Sequence, residues 1–227
     1  RPGIRLGLDP VEALVNSIQN AAWATSFAVV LGAVASLAIA AAGRGGRLLD
    51  VGLMLPIGTS AVTIGFGMLI TFDTPPVDWR AEWWLVPVGH ALVALPFVVR
   101  TTVGVLRSVD PSLQDAAATL GASPTRAWWN VVVPFLWRPL AVGAALAAAI
   151  SLGEFGATSF LSRSGGETLP IAIDELLGRT GSLLQAQGYA LATILTVATV
   201  SLVIGVSRFH DVTGLAHRRA NGQTVDR

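Results

Sequence analysis

Glu154 is the first residue in this sequence that demands a chemical explanation. It stands in SLGEFGATSFL, Ser151 to Leu161, with Gly153 before it and Phe155 after it, inside a long apolar run. A carboxylate in hydrocarbon costs roughly 2.5–3.5 kcal/mol on insertion scales, so it has to face a cavity or a partner. Two roles fit: a gate or path group, with Gly153, Glu154 and Phe155 together, or a structural acid hydrogen-bonded within a bundle. His90, between Pro87 and Pro96 in WLVPVGHALVALP, poses the same question as a proton relay or a bonded structural imidazole. The remaining histidines, His210 and His217, are scattered, and with no Cys the sequence suggests no metal cluster and no disulfide. Nor does it contain a GxxxxGK[ST] phosphate loop, so no nucleotide chemistry is expected of the chain itself.

The elements that must position these groups are long and apolar. The chain has 227 residues, 52% of them hydrophobic and only 13% charged, with a mean hydropathy of +0.63. Crossing about 30 Å of hydrocarbon takes about 20 apolar residues at about 1.5 Å each. Five segments meet or approach that length: Ala21–Ala42, Val51–Phe72, Trp83–Val99, Leu140–Phe160 and Gly188–Ser207. The third can continue through Arg100 into TTVGVL. Pro56, Pro87 and Pro96 are expected to kink the second and third spans. Five such runs would overfill a soluble core, so the expected fold class is all-α, a polytopic membrane helix bundle.

Arginine sets the orientation; there is no Lys. With five spans, Arg44, Arg47, Arg100, Arg107, Arg126, Arg138, Arg208, Arg218, Arg219 and Arg227 fall on one side, and Arg1, Arg5, Arg80, Arg163 and Arg179 on the other. The ten-to-five imbalance makes the first side cytoplasmic. Trp79, Trp83 and Trp84 then flank the outer boundary and Trp128, Trp129 and Trp137 the inner one. A net charge of +1 without a concentrated basic face argues against nucleic acid as a partner.

One cytoplasmic segment, DAAATLGASPTRAWWNVVVP, reads as structure rather than as a connector. Asp110 and Pro111 provide a cap and a first helical residue, and SLQDAAATL favours helix. Gly121 sits where a left-handed residue would close that helix. Ser123 and Pro124 repeat the start, and the second helix is expected to run to Pro134. The small-residue face, Ala116 and Ala117, lets another surface approach closely. A stiff hairpin lying on lipid headgroups is the alternative.

The spacing resembles the permease subunits of binding-protein-dependent ABC importers. Their pattern of Glu-Ala-Ala, three residues, Gly, nine residues and Ile-x-Leu-Pro appears as Asp115-Ala116-Ala117, Gly121 and Val131-x-Val133-Pro134. Asp replaces Glu, and Val replaces Ile and Leu. The resemblance runs from SIQNAAWATSFAVVLG onward and implies a five-span type I permease core. It implies that this loop is the coupling helix seated on a cytoplasmic ATPase dimer. Asp115 would supply a polar contact or cap, Ala116 and Ala117 close approach, and Gly121 the turn. Trp128, Trp129 and Pro134 would anchor the second helix. By the same resemblance ATP and Mg sit on the partner ATPase, this chain binds no cofactor and is not an enzyme, and solute arrives from an external binding protein for alternating access.

SLGEFGAT followed by TLPIAI and LLGR is similar to permeases for iron(III) and thiamine; sulfate and molybdate permeases share the GEFGA stretch, and a polyamine permease is a further alternative. TLPIAIDELL is expected to be a short amphipathic helix dipping back from the outer surface, with Asp174 and Glu175 towards water. Members of the iron(III) and thiamine group often fuse two permease halves, so the second half is expected as a fused or separate chain. Starting at Arg1, this chain reads as a C-terminal half or a shortened form. Residues 1–20 are then an external connector, 21–207 the membrane domain with the coupling loop at 107–137, and 208–227 a solvated cytoplasmic tail. An ATP-independent transporter or channel would carry more intramembrane ionisable groups than Glu154, and a scaffold protein would not need the loop spacing. The expected setting is the cell's inner membrane, crossed several times.

Overall fold

The computed structural model describes residues 10–220 except 44, 77, 80, 81, 111 and 164, with side chains as far as residue 205. Every regular element among the described residues is helical. Four helical stretches are long and apolar enough to cross a membrane, and a bent pair supplies a fifth. Arg1, Arg5 and the tail beyond Ala220 lie outside the described residues, as do Arg44, Arg80 and Pro111.

The first span, α1 (Pro10–Ala41), starts within the stretch expected to be an external connector; residues 10–20 are its first three turns. Its inward stripe is Ala13, Ser17, Ala21, Ala24, Ala28, Gly32 and Ser36, spaced three or four apart, all buried. Without side-chain bulk α1 comes close to α4 (Leu85–Ser108): a Cβ on Gly32 would lie 2.6 Å from Val98 Cγ1. Membrane helices associate through such small-residue packing, because lipid offers no hydrophobic drive between them. α4 is the centre of the bundle, with α1 on one side and α7 (Val133–Leu152) on the other. Ala28, Ala91, Ala94, Val98 and Ala147 form the buried cluster these three share.

The second expected span is not one rod. α2 (Gly46–Gly58) and α3 (Ala61–Thr71) meet at 101° across Thr59 and Ser60. Pro56 was expected to kink this segment, but the chain turns one step later. Pro56 removes one intrahelical bond, and Gly58 follows it. Thr59 Oγ1 then donates to Leu55 O at 3.0 Å, satisfying a carbonyl at the end of α2 locally. Ser60 is extended before α3 begins.

α4 continues well past Val99, carrying Arg100 and Arg107 within the helix. Pro96 is interior, whereas Pro87 lies in the first turn, where no intrahelical N–H bond is required; it is no kink of the expected kind. Near the C-terminal end of α4 Arg107 Nη2 is 3.3 Å from Asp50 Oδ2, tying α4 to α2.

Beyond α4 come α5 (Ser112–Thr119), α6 (Pro124–Ala127), a π turn (Trp128–Val132) and α7. α6, the π turn and α7 form one 29-residue span, Pro124–Leu152. It starts much earlier than the expected Leu140 and stops eight residues before Phe160. After a break come α8 (Thr158–Leu161), α9 (Leu169–Gly178) and α10 (Ser182–Ala220). α9 is the short amphipathic helix expected from TLPIAIDELL: Leu169, Ala172 and Leu176 pack with Ala13 and Leu191, while Asp174 is exposed and Glu175 pairs with Arg179. The Leu169 N–H donates to Ser17 Oγ at 2.7 Å, locking α9 onto α1. α10 is the peripheral span, and its helix runs on through residues 208–220 of the expected tail.

Candidate functional site

Local chemistry builds the α5–α6 hairpin. Asp110 Oδ1 accepts the Ser112 N–H at 2.9 Å, which starts α5 and holds the Asp110 carboxyl below its ordinary range. The helix closes at Gly121, with φ of +83°. Gly121 N–H donates to Ala118 O at 2.9 Å and Ala122 N–H to Ala117 O at 3.0 Å, the paired bonds of a Schellman motif. Ser123 Oγ then accepts the Arg126 N–H at 3.4 Å, and Pro124 opens α6.

The second helix does not end at Pro134. It passes through the π turn, where the Val133 N–H reaches Trp128 O, and continues as α7. Proline lacks the N–H that an α-helix would send to the fourth residue back, and its ring clashes with that carbonyl. A wider turn just before Pro134 relieves both, and such turns recur at functional positions. Trp128 and Trp129 stack edge to face beside it, at 5.3 Å.

No residue of α5 is buried. Asp115 and Ala116 are exposed and Ala117 is half-buried. Asp115 stands in the first turn, where the helix dipole favours an anion, but the helix cap is Asp110. Val131 and Val133 are half-buried on the rising helix, and Pro134 is exposed. Sequence reasoning overlooked Leu120, an apolar side chain 89% exposed at the tip of the hairpin, and Leu113 at 43%. The helix signal of SLQDAAATL contained Leu113, but composition alone does not reveal which way a side chain faces. Leu120 and Leu113 leave two apolar side chains bare on a hairpin that has no buried residue in α5.

Glu154 lies at the other end of the same span. It is not within the helix: α7 stops at Leu152, and Gly153–Ala157 form a break before α8. The carboxylate caps the restart. Its Oε1 accepts the Ala157 N–H at 3.0 Å, and its Oε2 accepts the Thr158 N–H at 3.0 Å. Thr158 Oγ1 stands 2.9 Å from Oε2. Glu154 is 6% exposed, so its charge is spent on backbone donors inside the protein.

His90 completes the cluster from α4 and is fully buried. Its Nδ1 is 2.7 Å from Ser151 Oγ on α7, and its Nε2 is 2.7 Å from Thr158 Oγ1 on α8. Nε2 also lies 3.4 Å from Glu154 Oε2. One hydrogen placement satisfies the whole set. Ser151 donates to Nδ1, Nε2–H donates to Thr158, and Thr158 donates to the carboxylate. His90 is therefore a bonded imidazole tying together three elements, and removing one partner of such a buried bond costs about 1–3 kcal/mol. Its link to Glu154 spans 64 positions and left no trace in local spacing.

Phe155, by contrast, is 40% exposed on the break. Gly156 sits against α3, where a Cβ would lie 3.0 Å from Val62 N. Gly153 ends α7 with room around it, its Cβ position 3.8 Å from Ala149 O. No group of three or more metal-binding side chains occurs among the described residues.

The chain is similar to known proteins in sequence and in fold. Residues 28–211 match the family described as binding-protein-dependent transport system inner membrane component. The chain is 30% identical over 207 residues to PhnV of Salmonella typhimurium, a permease protein named for 2-aminoethylphosphonate transport, with 86% of this chain and 77% of that one covered. It is 32% identical over 206 residues to the molybdenum transport system permease protein ModB of Mycobacterium tuberculosis, with the same coverages. A solved structure described as an amino acid ABC transporter with histidines superposes with a TM-score of 0.64 at 16% identity, covering 89% of this chain and 92% of that one.

Proposed function

We infer how this chain, which belongs to the family of binding-protein-dependent transport system inner membrane components, is driven. It is a multi-pass inner-membrane permease subunit of an importer of that type. The drive enters at the α5–α6 hairpin, which docks on a cytoplasmic ATPase. The observation that carries this reading is the bare hairpin itself: α5 has no fully buried residue, Leu120 is 89% exposed, and the helix rising from Pro124 is continuous to Leu152. A rod of that length, about 44 Å, delivers a push from one membrane face to the other. Asp115, Ala116, Ala117 and Gly121 form the docking turn. Val131, Val133 and Pro134 join it to the span.

The ATPase dimer carries ATP and Mg, and this chain binds neither. Two permease halves rock around a shared path, an interface switch of the rigid-body kind. Phe155, exposed beside Gly153 and Glu154, faces that path, while Glu154 serves it from behind as a cap. An external binding protein presents the solute.

The substrate class favoured is a small oxyanion. The relatives described above are named for a phosphonate and for molybdenum, rather than for the iron(III) or thiamine suggested by TLPIAI and LLGR. Co-purification with an ATPase bearing a GxxxxGK[ST] loop, followed by ATP-driven uptake into vesicles, tests the proposal. Uptake of molybdate or 2-aminoethylphosphonate supports the oxyanion reading; uptake of iron(III) or thiamine alone overturns it. An importer that purifies without any ATPase overturns the whole reading.

A further inference from the structure

We propose that His90 is a positioning residue for transport. By bridging Ser151 and Thr158 it latches the Gly153–Ala157 break to α4, so that motion of the ATPase-docked helix reaches Phe155. The inference rests on the hairpin being the docking site.

The geometry gives three reasons. First, the break is where a pushed helix would otherwise lose its force: α7 stops at Leu152 and α8 is only four residues long. Something has to carry displacement across the gap. Second, His90 holds both sides of it at once, with 2.7 Å contacts to Ser151 before the break and to Thr158 after it. A bridge of two short bonds through a rigid ring passes on translation better than apolar packing, which can slide. Third, the loop within the break is closed on itself: Glu154 binds the Ala157 and Thr158 N–H groups, and Thr158 Oγ1 is also 3.0 Å from Glu154 O. The segment carrying Phe155 therefore moves as a unit with Thr158, and Thr158 moves with His90.

A purely structural cluster predicts something else. Weakening it would lower stability and leave any surviving protein fully coupled. The latch predicts a folded, ATPase-bound permease in which the two ends have come apart.

The test uses the chain in its assembled complex. Because it contains no native Cys, two reporters can be made separately, Leu120→Cys on the hairpin and Phe155→Cys on the break. Each is labelled with a membrane-impermeant maleimide, with and without ATP and vanadate. In the parent both labelling rates respond to nucleotide. Thr158→Val keeps the shape but removes the hydroxyl. We expect Leu120→Cys to respond as before, while the Phe155→Cys response falls about tenfold, within the range of coupling changes caused by single substitutions. Thr158→Ser, which restores the hydroxyl, should restore the response. Ser151→Ala at the other ring nitrogen should repeat the loss, and it carries the test if the valine variant does not assemble. An undiminished Phe155→Cys response in the variants overturns the latch. A parent in which Leu120→Cys ignores nucleotide overturns instead the docking reading beneath it.

Discussion

Gly65 on α3 and Ala157 in the α7–α8 break touch backbone to backbone. A Cβ on Gly65 would lie 2.5 Å from Ala157 Cα and 2.8 Å from its carbonyl oxygen. This contact fixes the broken second span against the segment that carries Phe155.

Gly65→Ala is therefore expected to destabilise the permease by about 1–3 kcal/mol, the usual cost of overpacking where neither backbone can retreat. Gly67→Ala, two residues along, meets nothing within 4 Å. It should be neutral or slightly stabilising, since alanine suits a helix better than glycine. Heat-induced unfolding of the two variants in the same detergent separates these outcomes. Equal midpoints would mean that α3 and the break do not pack as described.

Gly121 fails for the opposite reason when replaced. Nothing lies within 4 Å of its Cβ position, but its φ is +83°. Valine there costs about 1–2 kcal/mol of backbone strain, whereas asparagine tolerates the left-handed region. Gly121→Val should insert in the membrane normally and uncouple ATP hydrolysis from transport, with Gly121→Asn closer to the parent. Normal substrate-stimulated hydrolysis in the valine variant would rule out a role for the turn in coupling.

The hairpin was legible in the sequence because its signals are local. Asp110, Gly121, Ser123 and Pro124 each act on backbone groups within a few residues, so type and spacing suffice to place them. Hydropathy found the spans for a similar reason, but it is blind to direction. Val51–Phe72 looks uniformly apolar whether the chain runs straight or turns by 101° at Thr59 and Ser60. Glu154 announced itself as costly, yet its solution, a cap on α8 backed by His90, depends on a residue 64 positions earlier. The helix through Pro134 was missed because proline often ends a helix, whereas here a π turn leads into it and α7 runs on past both Pro134 and Pro139.

The start of α5 should respond to acid. The Ser112 N–H holds the Asp110 carboxyl below the ordinary aspartate value of 3.8. A depressed value means that the cap's contribution is complete above the ordinary value and is lost as pH falls through the lowered one. Amides of Ser112–Thr119 should keep their hydrogen-exchange protection, corrected for intrinsic rate, from neutral pH down to about 4 and lose it below. Asp110→Asn retains an uncharged cap and should flatten that profile. Asp110→Ala should exchange faster at every pH. Identical profiles for all three chains would show that Asp110 does not start the helix.

The central claim, that the bare hairpin is where an ATPase pushes, is tested most directly by cross-linking from Leu120. This sequence contains no Cys, so Leu120→Cys can be labelled with a photoreactive maleimide on the purified chain before the importer is assembled. Leu183→Cys, 71% exposed at the start of α10 where that helix packs on α9, serves as the control. The account predicts a cross-link from position 120 to the ATPase subunit, with a yield that changes on adding ATP, and none from position 183. No ATPase adduct at 120, or equal adducts at both positions, would contradict it.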